Sequence, residues 1–529
     1  MDSRLSTRVD GTDLPSADVV HVPSVDGADV SHDPRTGEAL GQVPGTPPDE
    51  VEAALSRAAD AAPAVAATSP AERAGWLRAL ADAIEDPATA PRLVALADRE
   101  TALGEPRLSG ELARVAAQLR FYAEVAQEGS WLRATVDHPT QTTPWLGRVQ
   151  QPLGPVAVFG ASNFPFAFGV LGNDTASALA AGCPVVAKAH PAHPLLSVEL
   201  GRLATEALGE AGAPVGAFGL VAGFSAGTAL VTSRHTAAVA FTGSQQGGLA
   251  LWRLANERDV VIPVFAEMGT VNPVVLTHAG AARLGEVASG FVGSFTLSAG
   301  QFCTKPGLLL APAGSGAADA LGRALEAASP RGWLLTEGIA RAAATGVEEL
   351  VAAGARVVAQ VPMADDGWAA PTTVLSVPAD ALGRGSRLLE ECFGAVALVV
   401  EYTDDEELRS ALAVLPGSLA ATVITGGADD PDASFAVETL TRTVGRVTVN
   451  DWPTGVAFTW AQQHGGPWPA TSDPRATSVG AAALDRFVRP VAYQSVDDAW
   501  LPAPARADNP WRLPRRVDGA LEPPAGAER

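Results

Sequence analysis

From Pro155 onward the chain alternates short apolar runs with amphipathic stretches, and few folds accommodate that rhythm. Apolar runs at 155–160, 184–189, 217–222, 237–242 and 261–266 read as buried strands. Helix-like stretches at about 174–182, 195–211, 226–234 and 246–258 separate them. Such an alternation builds a parallel sheet with helices on both faces, where strands are apolar throughout. A second alternation follows, with strands at 274–277, 308–311, 356–360, 372–377, 395–402, 419–425 and 446–450 and helices from 317 to 343. The expected fold class is therefore α/β, with two doubly wound lobes. At 529 residues the chain is also too long for a single core.

The flanking regions read differently. Residues 1–48 are polar and turn-rich. From Asp49 to about Gln127 the pattern is helical, divided by prolines at 70, 87 and 91. Residues 129–150 switch to an exposed two-stranded pattern, and 489–494 reads as a short terminal strand. The tail from Leu501, rich in Pro, Arg and Asp, reads as loose.

Charge and composition remove several function classes. A formal net charge of -22 leaves no basic stripe for phosphates, so nucleic acid is not an expected partner. No run reaches the roughly 18 apolar residues of a membrane span, and residues 1–8 lack a signal-peptide core, so a cytoplasmic location is expected. The three cysteines, Cys183, Cys303 and Cys392, provide neither a disulfide framework nor a C-x-x-C metal site. His190-Pro-Ala-His193 is flanked by prolines and by no further ligand, so no metal is expected. Lys188 and Lys305 are the only lysines, which suggests positions where a guanidinium does not serve.

In doubly wound sheets ligands bind beyond the carboxyl ends of the strands. Ser162, Asn163, Lys188, Gly223, Gly243, Ser244 and Glu267 stand at those ends, small and polar as a cleft requires. Two nucleophiles compete. Gly223-Phe-Ser225-Ala-Gly227 fits the elbow of a serine hydrolase, with His464 as a downstream base. Its oxyanion loop has to precede the serine, however, whereas His464-Gly-Gly follows it. Cys303, in Gly300-Gln-Phe-Cys303, has better support. Acyl chemistry at a thiol needs an oxyanion donor, which Asn163 can supply, and a base for water, which Glu267 can supply at the end of an apolar strand. Phe241-Thr-Gly-Ser244 opens a helix whose free N–H groups favour a phosphate.

From about residue 30 to 495 the chain closely resembles the aldehyde dehydrogenase superfamily. The matching pieces are Ala161-Ser-Asn-Phe-Pro, Val186-Ala-Lys188, Phe241-Thr-Gly-Ser244, Glu267-Met-Gly-Thr-Val-Asn-Pro273, Gly300-Gln-Phe-Cys303 and Glu391-Cys-Phe-Gly394. The run from His464 to Gly480 and Lys188-Ala-His-Pro-Ala-His-Pro194 resemble an NADP-linked group that includes 2,5-dioxovalerate (α-ketoglutarate semialdehyde) dehydrogenases. The resemblance implies that Cys303 attacks an aldehyde, that Asn163 and the Cys303 N–H hold the oxyanion, and that Glu267 activates water against the thioester. It further implies Lys188 and Glu391 on the ribose hydroxyls, Gly243 and Ser244 at the pyrophosphate, and Phe393 beside the nicotinamide. Arg114, Phe166, Phe458 and His464 would line the aldehyde tunnel, with Arg114 pairing a distal carboxylate.

The same resemblance implies a cofactor-binding domain at 1–130 and 151–270, rejoined by 455–484, and a catalytic domain at 271–454. An oligomerisation arm at 131–150 and 485–500 and a loose tail at 501–529 complete it, giving a homodimer or homotetramer. Pro191 replaces the glutamate that selects NAD in many relatives, so NADP is the expected cofactor and NAD is possible. Alternatives are a fatty, aromatic or neutral aldehyde as substrate, a CoA-acylating reaction, and the Ser225 hydrolase. The roles of Lys305 and of the tail stay open at this point.

Overall fold

The computed structural model describes residues 27–523. Five strands, Val156–Phe159, Val185–Lys188, Phe218–Val221, Ala238–Gly243 and Val264–Met268, form a wholly parallel sheet. Alternate residues serve opposite layers, as the two-residue period of a strand dictates. Val156, Val158, Ala238 and Ala240 pack with the helices Pro70–Glu85, Glu105–Glu128 and Pro194–Glu210. Ala157, Val186, Val239 and Val264 pack with Pro48–Ala67, Phe224–Thr232 and Gln245–Asn256. The chain winds outward from Val156–Phe159 in one direction, then returns to its other side at Ala238–Gly243. That reversal opens a crevice at the carboxyl ends of these two strands.

The prolines divide the helical region as the sequence suggests. Pro70 begins one helix behind a reciprocal Ser69–Glu72 capping box, and Ala90–Thr101 carries Pro91 in its first turn. The last strand of the sheet starts at Val264, three residues later than its apolar run. Glu267 thus lies inside the strand, opposite Thr242, rather than beyond it.

The second sheet has seven strands, ordered Arg356–Val361, Thr372–Pro378, Val396–Tyr402, Leu308–Pro312, Pro273–Leu276, Ser418–Ile424 and Val444–Val449. Its residues again divide between two layers: Val275, Leu308, Leu310 and Val400 on one side, Val274, Leu276, Leu309 and Val399 on the other. Its edge strand Arg356–Val361 is antiparallel, which departs from the expected all-parallel winding. Only a short loop joins it to Thr372, too short for the crossover that a parallel pair needs.

A third sheet orders Val488–Gln494, Leu146–Pro152, Thr135–Asp137, Arg515–Val517 and Ala520–Glu522. The last two strands correct the expectation of a loose tail. Arg516 and Val517 pair in parallel with Thr135 and Val136, so residues 515–522 are part of this sheet. Residues 524–529 and 1–26 lie outside the described residues. The turn-rich start contains a two-stranded pair, Asp29–His32 with Ala39–Val43. No helix among the described residues is long and apolar enough to cross a membrane.

Candidate active site

A cavity of about 680 Å³ runs from Lys188 and Phe224, past Ser244, to Asn163, Glu267 and Cys303. It joins the carboxyl ends of the first sheet to the loops of the second lobe. Cys303 reaches it from a turn that is conformationally costly. Ser298, Ala299 and Gly300 all take left-handed φ, at 50°, 58° and 74°. Non-glycine residues in that region cost about 1–3 kcal/mol each and persist only where the surroundings fix them. Here the fixing is visible. A Cβ on Gly300 would sit 2.3 Å from the Gly394 carbonyl carbon, so the turn lies directly on the segment that carries Glu391 and Phe393.

Around the thiol the structure assembles groups that are far apart in sequence. His464 Nε2 stands 3.5 Å from Cys303 Sγ and 3.1 Å from Glu267 Oε2. Ser478 Oγ lies 3.4 Å from the same carboxylate oxygen, while Glu267 Oε1 is buried without a partner. His464 was expected in an aldehyde tunnel, or as a partner of Ser225; instead it joins the thiol to the carboxylate. Burial first, then the charges of Glu267 and Glu391, push the Cys303 thiol well above its ordinary range. The Thr304 N–H and the Arg446 guanidinium oppose that rise. A thiol so placed needs a base to become a nucleophile.

Asn163 Nδ2 donates to the Gln301 carbonyl at 2.8 Å, which draws its amide to the cysteine turn. An amide nitrogen carries two protons, so the second stays available for an oxyanion. Asn272, within the glutamate motif, was not singled out from the sequence. Its Nδ2 donates to the carbonyls of Cys303 at 2.7 Å and Lys305 at 3.1 Å, tying the turn to the second sheet.

At the other end of the cavity the residues fit a dinucleotide. Lys188 Nζ is bonded to the Ala189 carbonyl at 2.9 Å, and burial holds its pKa below the usual lysine range, against the pull of Asp29. Gly243 lines the wall, and Ser244 lines it while capping Gln245–Asn256, its Oγ accepting from the Gly247 N–H at 3.2 Å. Glu391 Oε1 is buried with no partner, as a group awaiting hydroxyl donors would be. A Cβ on Gly269 would come within 2.1 Å of Glu391 Oε2, so glycine there gives the carboxylate its place. Burial raises Glu391 to about 7, with Lys305 opposing and Glu267 reinforcing. Phe393 lines the cavity beside it.

The substrate-side expectations divide. Arg114 lies over the Phe458 ring at 5.0 Å and donates to the Val456 carbonyl; its guanidinium is within electrostatic reach of Cys303. Phe166 does not reach the cavity. It is fully buried in the helical core, and Phe164 and Phe168, two residues to either side, face the cavity instead. Phe458 packs with Phe164 and Phe168 in one small cluster. Arg107, one helical turn before Glu111, was missed. Its guanidinium lies over Phe164 and Phe302 at 5.0 and 5.7 Å, donates to the Asn163 carbonyl, and keeps Nη1 buried without a partner.

Lys305 turns to the main chain of the neighbouring segment. Its ammonium, fully buried, donates to the carbonyls of Cys392 at 2.8 Å and Val396 at 2.9 Å, clamping the Glu391–Phe393 segment against the cysteine turn.

A family model, described as the aldehyde dehydrogenase family, matches residues 24–468. The chain belongs to the aldehyde dehydrogenase family. It is an oxidoreductase of small-molecule aldehydes, in a family that uses NAD(P). The chain is 44% identical over 490 residues to α-ketoglutaric semialdehyde dehydrogenase 2 of Azospirillum brasilense, covering 89% of this chain and 92% of the relative. It is 39% identical over 485 residues to α-ketoglutaric semialdehyde dehydrogenase of Acinetobacter baylyi, covering 89% and 91%. The fold matches betaine aldehyde dehydrogenase of Staphylococcus aureus in complex with NAD+, with a TM-score of 0.76 at 19% identity over 88% and 91% of the chains. As an aldehyde dehydrogenase the chain has no use for Ser225 as a nucleophile. Ser225 is exposed in the first turn of Phe224–Thr232, and among the described residues no histidine or carboxylate bonds its hydroxyl.

Proposed function

We propose that this enzyme oxidises α-ketoglutarate semialdehyde to the dicarboxylic acid through a thioester on Cys303. The observation that carries the reading is the single imidazole nitrogen, His464 Nε2, within reach of both the candidate nucleophile and the candidate base. The thiol proton passes to Nε2 as Sγ attacks the aldehyde carbon, and the imidazolium is held against the Glu267 carboxylate. Asn163 and the Cys303 N–H stabilise the oxyanion of the thiohemiacetal. Lys188, Ser244 and Glu391 would hold a nicotinamide dinucleotide, which would supply the hydride acceptor that the thiohemiacetal needs to become the thioester. Glu267 then takes a proton from water as it attacks, and the acid leaves with the thiol restored.

Arg107 and Arg114 lie about two turns apart on the same face of Glu105–Glu128 and would meet the distal carboxylate of an acidic semialdehyde. The relatives at 44% and 39% identity bear the name of that substrate. We place NADP first as cofactor, because Pro191 carries no charge against a 2′-phosphate; Asp29, which acts on Lys188, is the carboxylate that would oppose it. The edge strand Val488–Gln494 offers an open ladder for a second subunit, consistent with a dimer or tetramer. The test is reduction of NADP and of NAD by α-ketoglutarate semialdehyde without CoA. Turnover is expected in wild type and Ser225→Ala and absent in Cys303→Ser; turnover that needs CoA, or that survives Cys303→Ser, refutes the reading.

A further inference from the structure

The same three side chains have a second chemistry. Cys303 Sγ, His464 Nε2 and Glu267 Oε2 offer one sulfur, one nitrogen and one oxygen, and their donor atoms lie within 4.8 Å of one another. Zinc–ligand bonds of about 2.3 Å to sulfur and 2.0–2.1 Å to nitrogen or oxygen, spread tetrahedrally, require about 3.6 Å between S and N and about 3.3 Å between N and O. The separations are 3.5 and 3.1 Å. We propose that Cys303, His464 and Glu267 form a zinc-capture site that takes one Zn2+ ion, leaves the fourth position open to the cavity, and silences the enzyme while the ion is held.

A further observation points to a cation there. Glu267 Oε1 is buried with no partner, so a positive ion would satisfy a carboxylate that the protein leaves half-bonded. The main chain that carries the His464 ligand is also held in place. Thr477 Oγ1 accepts the His464 backbone N–H at 2.8 Å, and Ser478 Oγ reaches both Glu267 Oε2 and the His464 backbone carbonyl. Cys303 and Glu267 line the cavity, which gives an ion its way in. A thiolate with an imidazole selects zinc and its neighbours over magnesium or calcium. Cys183 and Cys392 are buried and have no such companions among the described residues.

Coordination replaces the thiol proton, which leaves to solvent, and no electron moves. The captured thiolate shares its lone pair with the metal and cannot attack an aldehyde, while Glu267 and His464 are withdrawn from proton transfer. The ion site stands on geometry alone; that its occupation stops turnover rests on the dehydrogenase reading above.

Cobalt(II) is the probe, because a thiolate-bound tetrahedral cobalt centre absorbs strongly where the free ion does not. The reduced full-length enzyme is titrated with CoCl2, then with ZnCl2. The expected result is one cobalt per chain with a thiolate charge-transfer band, displaced by zinc, and turnover lost with zinc and restored by EDTA. His464→Gln and Glu267→Gln are each expected to bind at least about a hundredfold more weakly, since even an outer partner of a metal ligand is worth 10–100-fold. Cys303→Ser is expected to lose the band. MgCl2 is expected to do nothing. Absence of the band in wild type, or unchanged affinity in both His464→Gln and Glu267→Gln, overturns the proposal. A band without dehydrogenase activity leaves the site standing and removes the functional reading; activity without a band does the reverse.

Discussion

Replacing His464 by Phe keeps a ring of similar size and removes the one nitrogen that serves both Cys303 and Glu267. The wild-type thiol is disfavoured as an anion by burial and by two nearby carboxylates, so at neutral pH its attack depends on proton transfer to Nε2. Losing a positioned acid–base group costs about 10²–10⁴ in rate, or roughly 3–5 kcal/mol in the barrier to thiohemiacetal formation. Glu267 also loses its 3.1 Å partner and keeps only Ser478 Oγ at 3.4 Å, which costs about 1–3 kcal/mol of stability for a carboxylate buried at that depth. Two assays separate these effects. The burst of reduced cofactor in stopped flow reports acylation, and iodoacetamide alkylation against pH reports the free thiol. In His464→Phe the burst is expected to slow at least about a hundredfold, and the alkylation midpoint to move upward, because the thiolate forms without an imidazolium beside it. A burst rate and an alkylation midpoint both unchanged would refute the relay.

Three further outcomes follow from the same geometry. Gly269→Ala, whose Cβ would sit 2.1 Å from Glu391 Oε2, is expected to raise the cofactor KM with little change in kcat, measured by initial rates at saturating aldehyde. Glu391, raised to about 7 by burial, would accept from ribose hydroxyls best when ionised, so cofactor affinity is expected to fall as pH drops through about 7; Glu391→Gln is expected to flatten that dependence and weaken binding roughly tenfold to a hundredfold in fluorescence titrations. Lys305→Met leaves the Cys392 and Val396 carbonyls without their donor and is expected to lower unfolding stability by roughly 3 kcal/mol, while leaving the alkylation midpoint of Cys303 in place.

The strands were legible because residues buried on both faces form continuous apolar runs; Val156–Phe159 and Leu308–Pro312 are buried at every position. The residues at strand ends followed from that reading, which is how Asn163, Lys188 and Glu267 came to share one cavity. What the sequence could not carry was direction and distance. Phe164, Phe166 and Phe168 alternate within an irregular turn, where no period tells which ring faces the core and which the cavity. His464 lies 161 residues from Cys303, and no local pattern joins them. The target of Lys305 was unreadable, since the carbonyls it bonds belong to a segment 87 and 91 residues away. The strands Arg515–Val517 and Ala520–Glu522 are short and largely exposed, and they exist by pairing rather than by their own propensity: Arg515–Val517 pairs with Thr135–Asp137, and Ala520–Glu522 pairs with Arg515–Val517.

Mass spectrometry of a stalled enzyme reports whether Cys303 carries the acyl group. In Glu267→Gln, quenched during turnover of α-ketoglutarate semialdehyde with NADP, hydrolysis of the thioester is expected to fail. The peptide containing Cys303 is expected to gain the mass of the acyl group, with one reduced cofactor formed per chain. An unmodified Cys303 peptide, or the same mass found on Ser225, would show that Cys303 is not the nucleophile.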